Sequence, residues 1–389
     1  MDPIVNPYVP NAGAQPPSLS GRQPLVDAFQ TALGRAKAGK SAKSLIPYGL
    51  RGVGKTVLLN RFTADAMRLG YEVAFLEADD HDSFLAALTG ELRRILFRLD
   101  TAERLNEYAK KALRILKAVS ATFKLHDISV SLGVDPARGE GDTGNLATDL
   151  TSLIVALGEA ARAADTAVLI AVDEIQYVSE DEFEALIMAL HRATQRSLPI
   201  LAVATGLPHV LALASKSKTY AERLFDFRSI GALTETETEE AIAKPAAAER
   251  VSYEPAALRR LYELTQGYPF YVQEFAYNTW NAAAASPITR ADVDGIEKRV
   301  IAQLDEGFFR ARYDRTSKSE RRYMRAMAEL GEGPYASNDV ARVLGGTQSA
   351  FSTTRDSLVR TGMIYAPARG QIAFTVPLFA GFLRRVETL

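Results

Sequence analysis

The chain of 389 residues contains no cysteine. That excludes disulfides, thiolate metal sites and thiol nucleophiles, and it suits a reducing cytoplasm. Net charge is also nearly absent: 46 Lys and Arg stand against 47 Asp and Glu, so any nucleic-acid surface must be local rather than a product of bulk charge. The four histidines, at 81, 126, 191 and 209, have no ligand spacing and read as ordinary core or surface residues. No apolar run approaches the ~18 residues of a membrane span. The first residues, with Asp2 and several prolines, lack the basic and apolar regions of a secretory signal. These absences predict a cytoplasmic protein with no membrane partner. Apolar residues are plentiful: 47% of the chain is hydrophobic, enough for the cores of two or three domains at this length.

The most informative stretch is Tyr48-Gly49-Leu50-Arg51-Gly52-Val53-Gly54-Lys55-Thr56-Val57. It follows a short apolar run, leads into a helical pattern and fits G-x-x-x-x-G-K-[ST], the loop that cradles phosphates. Gly49, Gly52 and Gly54 allow a tight turn and close approach of the backbone to an anion. The helix starting near Lys55 aims unpaired N–H groups and a positive dipole end at that anion. Lys55 is placed to reach the β- and γ-phosphates, and the Thr56 hydroxyl to bind Mg²⁺. Leu50, Arg51, Val53 and Val57 complete the predicted nucleotide-binding segment.

Prolines at 3, 7, 10, 16 and 17 exclude helix or central strand from residues 1–20, leaving a loose tail or an extended strap over the next domain. A helix is predicted from Ser20-Gly21-Arg22 to Lys37, strands at 44–47, 71–76, 127–134, 167–172 and 199–205, and helices between them. Ala167 to Val172 is apolar throughout, as a strand buried on both faces should be. Strands alternating with helices argue for a parallel sheet covered on both sides. After Ile230 the pattern changes to helices, with capping boxes predicted at Thr234-x-x-Glu237 and Thr236-x-x-Glu239. A cluster of aromatics at 268, 270, 271, 275, 277 and 280 has helical spacing, so it reads as core rather than as a base-stacking platform.

Val168 to Val172 ends in Asp173-Glu174. Asp173 at the strand's end can hold Mg²⁺, and Glu174 can orient and deprotonate an attacking water. Thr205 closes the next strand, where its hydroxyl would lie near the γ-phosphate and help to place the water.

This order of parts resembles an AAA+ ATPase, of the group related to the origin-recognition replication initiators, with features of the STAND signalling ATPases. The resemblance implies a P-loop NTPase sheet of order 5-1-4-3-2, an all-α lid and a bound adenine nucleotide, ATP or ADP, with Mg²⁺. It implies that Arg22 and the strap lie against adenine and ribose, and that Thr205 is a γ-phosphate sensor. Initiator relatives carry Gly-Asp-x-Arg at the lid; here the stretch is Gly267-Tyr268-Pro269-Phe270, without arginine. The Gly-x-Pro form resembles the STAND proteins, in which the proline region touches the nucleotide, so Pro269 joins the predicted binding set and slow turnover is expected. Arg223 is the candidate arginine finger, with Arg228 second; either would require a homo-oligomer.

The last unit reads as three helices and a hairpin, the winged helix-turn-helix plan. On its third helix, 347–360, the residues Gln348, Ser352, Arg355 and Arg360 point outward in the prediction, and Arg369 lies at the wing tip. Such side chains suit base edges and phosphates of double-stranded DNA. Residues 316–389 hold ten Lys and Arg against six Asp and Glu, a modest local excess. The predicted architecture is therefore a Pro-rich strap (1–20), an α/β AAA+ ATPase domain (21–231), a helical lid (232–311) and a winged helix (312–389). The predicted function is slow, ATP-dependent switching on DNA; the alternative is a STAND-like switch for a protein partner with no DNA role.

Overall fold

The computed structural model describes all residues except 12, 80–82, 102–106, 126–134, 218–220 and 387–389. The strand expected at 127–134 lies outside the described residues. Two compact units emerge, one of residues 22–48 and 55–229, the other of 1–21, 49–54 and 230–389.

The first unit holds a parallel sheet. Its elements run α1 (Gln23–Lys37), β1 (Ser44–Tyr48), α2 (Lys55–Arg68), β2 (Tyr71–Glu77), α3 (Phe84–Thr101), α4 (Glu107–Thr122), α5 (Leu146–Ala163), β3 (Ala167–Asp173), α6 (Glu180–Gln195), β4 (Ile200–Ala204), α7 (Val210–Ser217), α8 (Ala221–Leu224) and β5 (Phe225–Ser229). The strand order is β2-β3-β4-β1-β5, all parallel, which is the order the resemblance implied. Every residue of β3 and β4 is buried, because a central parallel strand is covered on both faces. The period of two sorts them: Val168, Ile170 and Val172 enter the core shared with α3 to α6, while Leu169 and Ala171 are buried outside that core. Among the helices, α1 and α2 pack through Phe29 and Phe62, with ring centroids 4.4 Å apart. Asn145 caps α5 and a Ser179–Glu182 box caps α6.

The second unit starts with four helices, α9 (Glu235–Ala248), α10 (Pro255–Thr265), α11 (Pro269–Ala282) and α12 (Arg290–Gln303). The Thr234–Glu237 box caps α9, whereas Thr236 lies inside that helix. A π-turn, Leu304–Phe309, and α13 (Arg310–Asp314) continue α12 without a break. The six aromatics at 268–280 behave as core: Tyr268, Tyr271, Phe275 and Trp280 are buried and the other two half-buried.

The proline-rich segment is seated on these same helices. Tyr8 is buried and donates its hydroxyl to the Ile242 carbonyl at 2.8 Å. Asn6 donates to Tyr277 O and Asn281 Oδ1, and the Trp280 indole N–H reaches Asp2 O at 2.9 Å. Prolines cannot pair as a ladder strand, so the strap satisfies its polar groups through main-chain carbonyls of α9 and α11 and side chains of α11.

The chain ends in α14 (Lys318–Glu329), β6 (Tyr335–Ala336), α15 (Ser337–Val343), a 3₁₀ turn (Gln348–Phe351), α16 (Ser352–Arg360), β7 (Ile364–Tyr365), β8 (Gln371–Phe374) and α17 (Phe379–Arg385). β7 and β8 form the expected hairpin, and β6 adds to the far side of β8 in a three-stranded antiparallel sheet. The segment 347–360 begins as a 3₁₀ turn rather than as α-helix. Phe309, Phe379 and Phe382 join this part to the preceding helices, with centroids 5.4 to 5.8 Å apart.

Trp280 is the only tryptophan and is 1% exposed, beside Tyr8. Removing residues 1–10 should shift its emission to the red and lower the melting temperature, each buried hydrogen bond lost costing about 1 kcal/mol. Unshifted emission in the truncated protein would contradict the seating of the strap.

Candidate functional site

The site in the sheet unit is built at the carboxyl ends of β3 and β4. Asp173, the last residue of β3, is buried. Its Oδ2 accepts the Thr56 hydroxyl at 2.6 Å, from the first turn of α2. Its Oδ1 accepts the Glu174 N–H at 2.9 Å and the Thr205 hydroxyl. A buried carboxylate needs such donors to offset its desolvation. Thr205 is itself buried, its N–H bonded to Val172 O at 2.8 Å and its carbonyl accepting from Ile175 at 2.9 Å. The structure thus brings together Thr56, Asp173 and Thr205 as the sequence predicted, but it turns the Thr205 hydroxyl onto Asp173. Thr56 and Asp173 offer two hard oxygens side by side, which is the donor chemistry Mg²⁺ would take.

Lys55 is buried at the first position of α2. Glu174 stands just beyond β3 with left-handed backbone, φ 52° and ψ 42°, an uncommon conformation for a non-glycine residue. Gln176 in the following 3₁₀ turn (Ile175–Tyr177) donates to Glu174 Oε2. His209, half-buried near Glu174, is held below its ordinary pKa by desolvation, against a rise from the Gln176 backbone and the Glu174 charge. Neither Gln176 nor His209 carried a signal in the sequence, because each reaches Glu174 only through the turn after β3 or the segment after β4.

The loop residues 49–54 group with the helical unit. A Cβ at Gly49 would collide with the Ile230 carbonyl, so that glycine serves a close crossing of two backbone segments. Gly52 has φ 82°, and an added Cβ would meet Tyr268 at 3.1 Å and Phe270 at 3.2 Å. Gly54, with φ 88°, faces open space. The Tyr268 hydroxyl donates to Arg51 O, the Phe270 N–H to Gly52 O at 3.2 Å, and the Arg51 N–H to Thr375 O at 3.3 Å. Pro269 is half-buried at the first position of α11, in the stretch that touches the loop. Leu50 is half-buried, Val53 buried and Val57 half-buried.

Arg312 on α13 was not anticipated. It lies 3.8 Å from the Phe308 ring centroid and donates to Phe308 O at 2.7 Å, while Phe308 stacks on Phe270 at 4.6 Å. Burial, then the charge of Arg51, pushes its pKa down to about 10. Arg22 is half-buried at the start of α1. Arg223 is exposed on α8, and Arg228 is tied to Asp226 at 2.9 Å.

At the C-terminal end the predicted DNA contacts divide. Gln348, Arg360 and Arg369 are exposed. Arg355 is half-buried and paired with Asp356 at 2.8 Å, and the Ser352 hydroxyl donates to Ser349 O. Among the described residues no helix is long and apolar enough to cross a membrane.

Residues 18–203 match the family model of the AAA ATPase domain. Residues 306–383 match a domain of unknown function, DUF8462. No curated protein matches the chain. Among solved structures, a Walker-type ATPase of Pyrococcus abyssi is similar at TM-score 0.54 and 16% identity, over 94% of this chain and 96% of that one. The Aeropyrum pernix Orc1 protein in complex with DNA is similar at TM-score 0.49 and 14% identity, over 98% of this chain and 96% of that one. The Thermotoga maritima RuvB Holliday junction branch migration motor is similar at TM-score 0.46 and 16% identity, over 96% and 99%. The order of the sheet is that of the P-loop AAA+ fold, and residues 18–203 match the model of the AAA ATPase domain.

Proposed function

We propose that the protein binds ATP with Mg²⁺, hydrolyses it slowly, and uses the nucleotide state to switch its action on double-stranded DNA. The observation that carries the first part is the Asp173 carboxylate held between Thr56 and Thr205. In this reading the amides of residues 49–54 and the Lys55 ammonium bind the phosphates. Thr56 and Asp173 hold the metal, which neutralises charge that develops on the phosphoryl oxygens. Glu174 takes the proton of the attacking water. Thr205 acts through Asp173, since its hydroxyl is bonded there. Arg22 would lie against adenine and ribose, and Pro269 would touch the nucleotide. Arg223 serves as a finger only if copies assemble.

We assign the C-terminal helices and sheet to a winged helix. The DNA reading is supported by Gln348, Arg360 and Arg369, which are exposed on the 3₁₀ turn, α16 and the β7–β8 turn. The pairing of Arg355 with Asp356 favours the second reading, a protein partner, because it removes one cation from a DNA-facing surface.

Lys55→Ala should abolish nucleotide binding, and Glu174→Gln should keep binding while losing about 10²-fold or more in hydrolysis. Filter binding of labelled ATP and a phosphate-release assay check both; wild-type turnover in Glu174→Gln would discard the catalytic assignment. Asp173→Asn, which cannot accept all three hydrogen bonds, should weaken Mg²⁺-dependent binding and destabilise the fold by roughly 1–3 kcal/mol, read by denaturant titration. For DNA, a duplex shift that weakens with salt and in Arg360→Ala and Arg369→Ala is expected. No shift with either ATP or ADP bound would favour the protein-partner reading.

A further inference from the structure

The carboxamide of Gln176 is fixed at both ends. Its Oε1 accepts the Leu207 N–H at 2.9 Å, and its Nε2 donates to Glu174 Oε2. The first bond settles the amide's orientation: with Oε1 facing a donor, only N–H groups remain for the glutamate. The side chain lies over Gly206, where an added Cβ would come within 3.0 Å of Gln176 Oε1 and 2.9 Å of Ile175 Cγ2. Gly206 and Leu207 directly follow Thr205, whose hydroxyl is bonded to Asp173. The bridge therefore runs from the end of β4, through one glutamine, to the carboxylate after β3.

We infer that Gln176 is a latch that holds Glu174 away from the attacking water until the end of β4 moves. The reasoning is chemical. A general base must offer an oxygen lone pair to the water it deprotonates. Here one carboxylate oxygen is occupied by a donor only two residues along the chain, in a turn that leads away from the strand end. The left-handed backbone at Glu174 fits a restrained state, because its N–H is bonded to Asp173, its carbonyl to Tyr177 N at 3.0 Å and its carboxylate to Gln176. A displacement of the segment 205–207 would pull Oε1 from its anchor and let the carboxamide rotate off Glu174. Gln176 is thus a positioning residue, and the coupling it provides makes hydrolysis depend on what Thr205 and Asp173 engage.

The inference rests on the proposed role of Glu174 as base, and the test separates the two. Steady-state ATPase rates with Mg-ATP are compared for the full chain, Gln176→Leu, Glu174→Gln and the double variant. Losing a hydrogen bond to a charged group should raise kcat about tenfold in Gln176→Leu, with KM changed by less than about twofold. The gain should vanish in the Glu174→Gln background. An unchanged or lower kcat in Gln176→Leu overturns the latch. Wild-type turnover in Glu174→Gln overturns the role of Glu174 itself and leaves nothing to latch. Should Gln176→Leu fail to fold, Gln176→Ala, which puts no branched group over Gly206, carries the same expectation. A second readout needs no turnover. In glutamine-selective ¹⁵N spectra of the nucleotide-free protein, the Gln176 side-chain amide should move on Glu174→Ala; an unmoved resonance overturns the contact.

Discussion

The buried Asp173 carboxylate is the constraint on which the site depends. It stands at the end of a fully buried strand and receives donors from three places: α2, the residue after β4 and its own successor. An ionised carboxylate in such a place is tolerable only with those donors. The same bonds fix the first turn of α2 relative to the sheet, and so fix where Lys55 and Thr56 sit. In the proposed function the same carboxylate would exchange a hydroxyl donor for a metal ion. Structure and chemistry therefore place the same demand on one side chain.

The loop before α2 answers to two requirements at once. Gly49 permits a backbone crossing at Ile230, and Gly52 permits the approach of Tyr268 and Phe270, while Gly54 alone faces open space. The glycine pattern that reads as a phosphate cradle is thus partly a packing pattern. Phe270, Phe308 and Arg312 extend the same contact as far as α13, into the domain of unknown function. In the proposed switch, the helices that touch this loop would carry the change.

Much of this was legible in the sequence because the signals are local. The loop motif, the apolar run ending in Asp173-Glu174, the capping box at Thr234 and the β7–β8 hairpin each lie within a dozen residues. What escaped involves distant partners. Nothing local shows that Tyr8 seats on α9, that β6 pairs with β8, or that the Thr205 hydroxyl turns to Asp173. The second predicted box at Thr236 failed because a capping pattern repeated two residues later can serve only one helix start. Gln176 was passed over because glutamine has no charge to attract notice, and its role appears only when Leu207 and Glu174 are seen on either side of it.

In the proposed function Asp173 would hold the metal and Glu174 would be the base held in reserve, while aromatic side chains grip the loop 49–54. Titration calorimetry of the purified chain with ATP, in the presence and absence of Mg²⁺, tests this most directly. The account predicts one site per chain whose affinity rises with Mg²⁺. No heat, or equal affinity under both conditions, would contradict it.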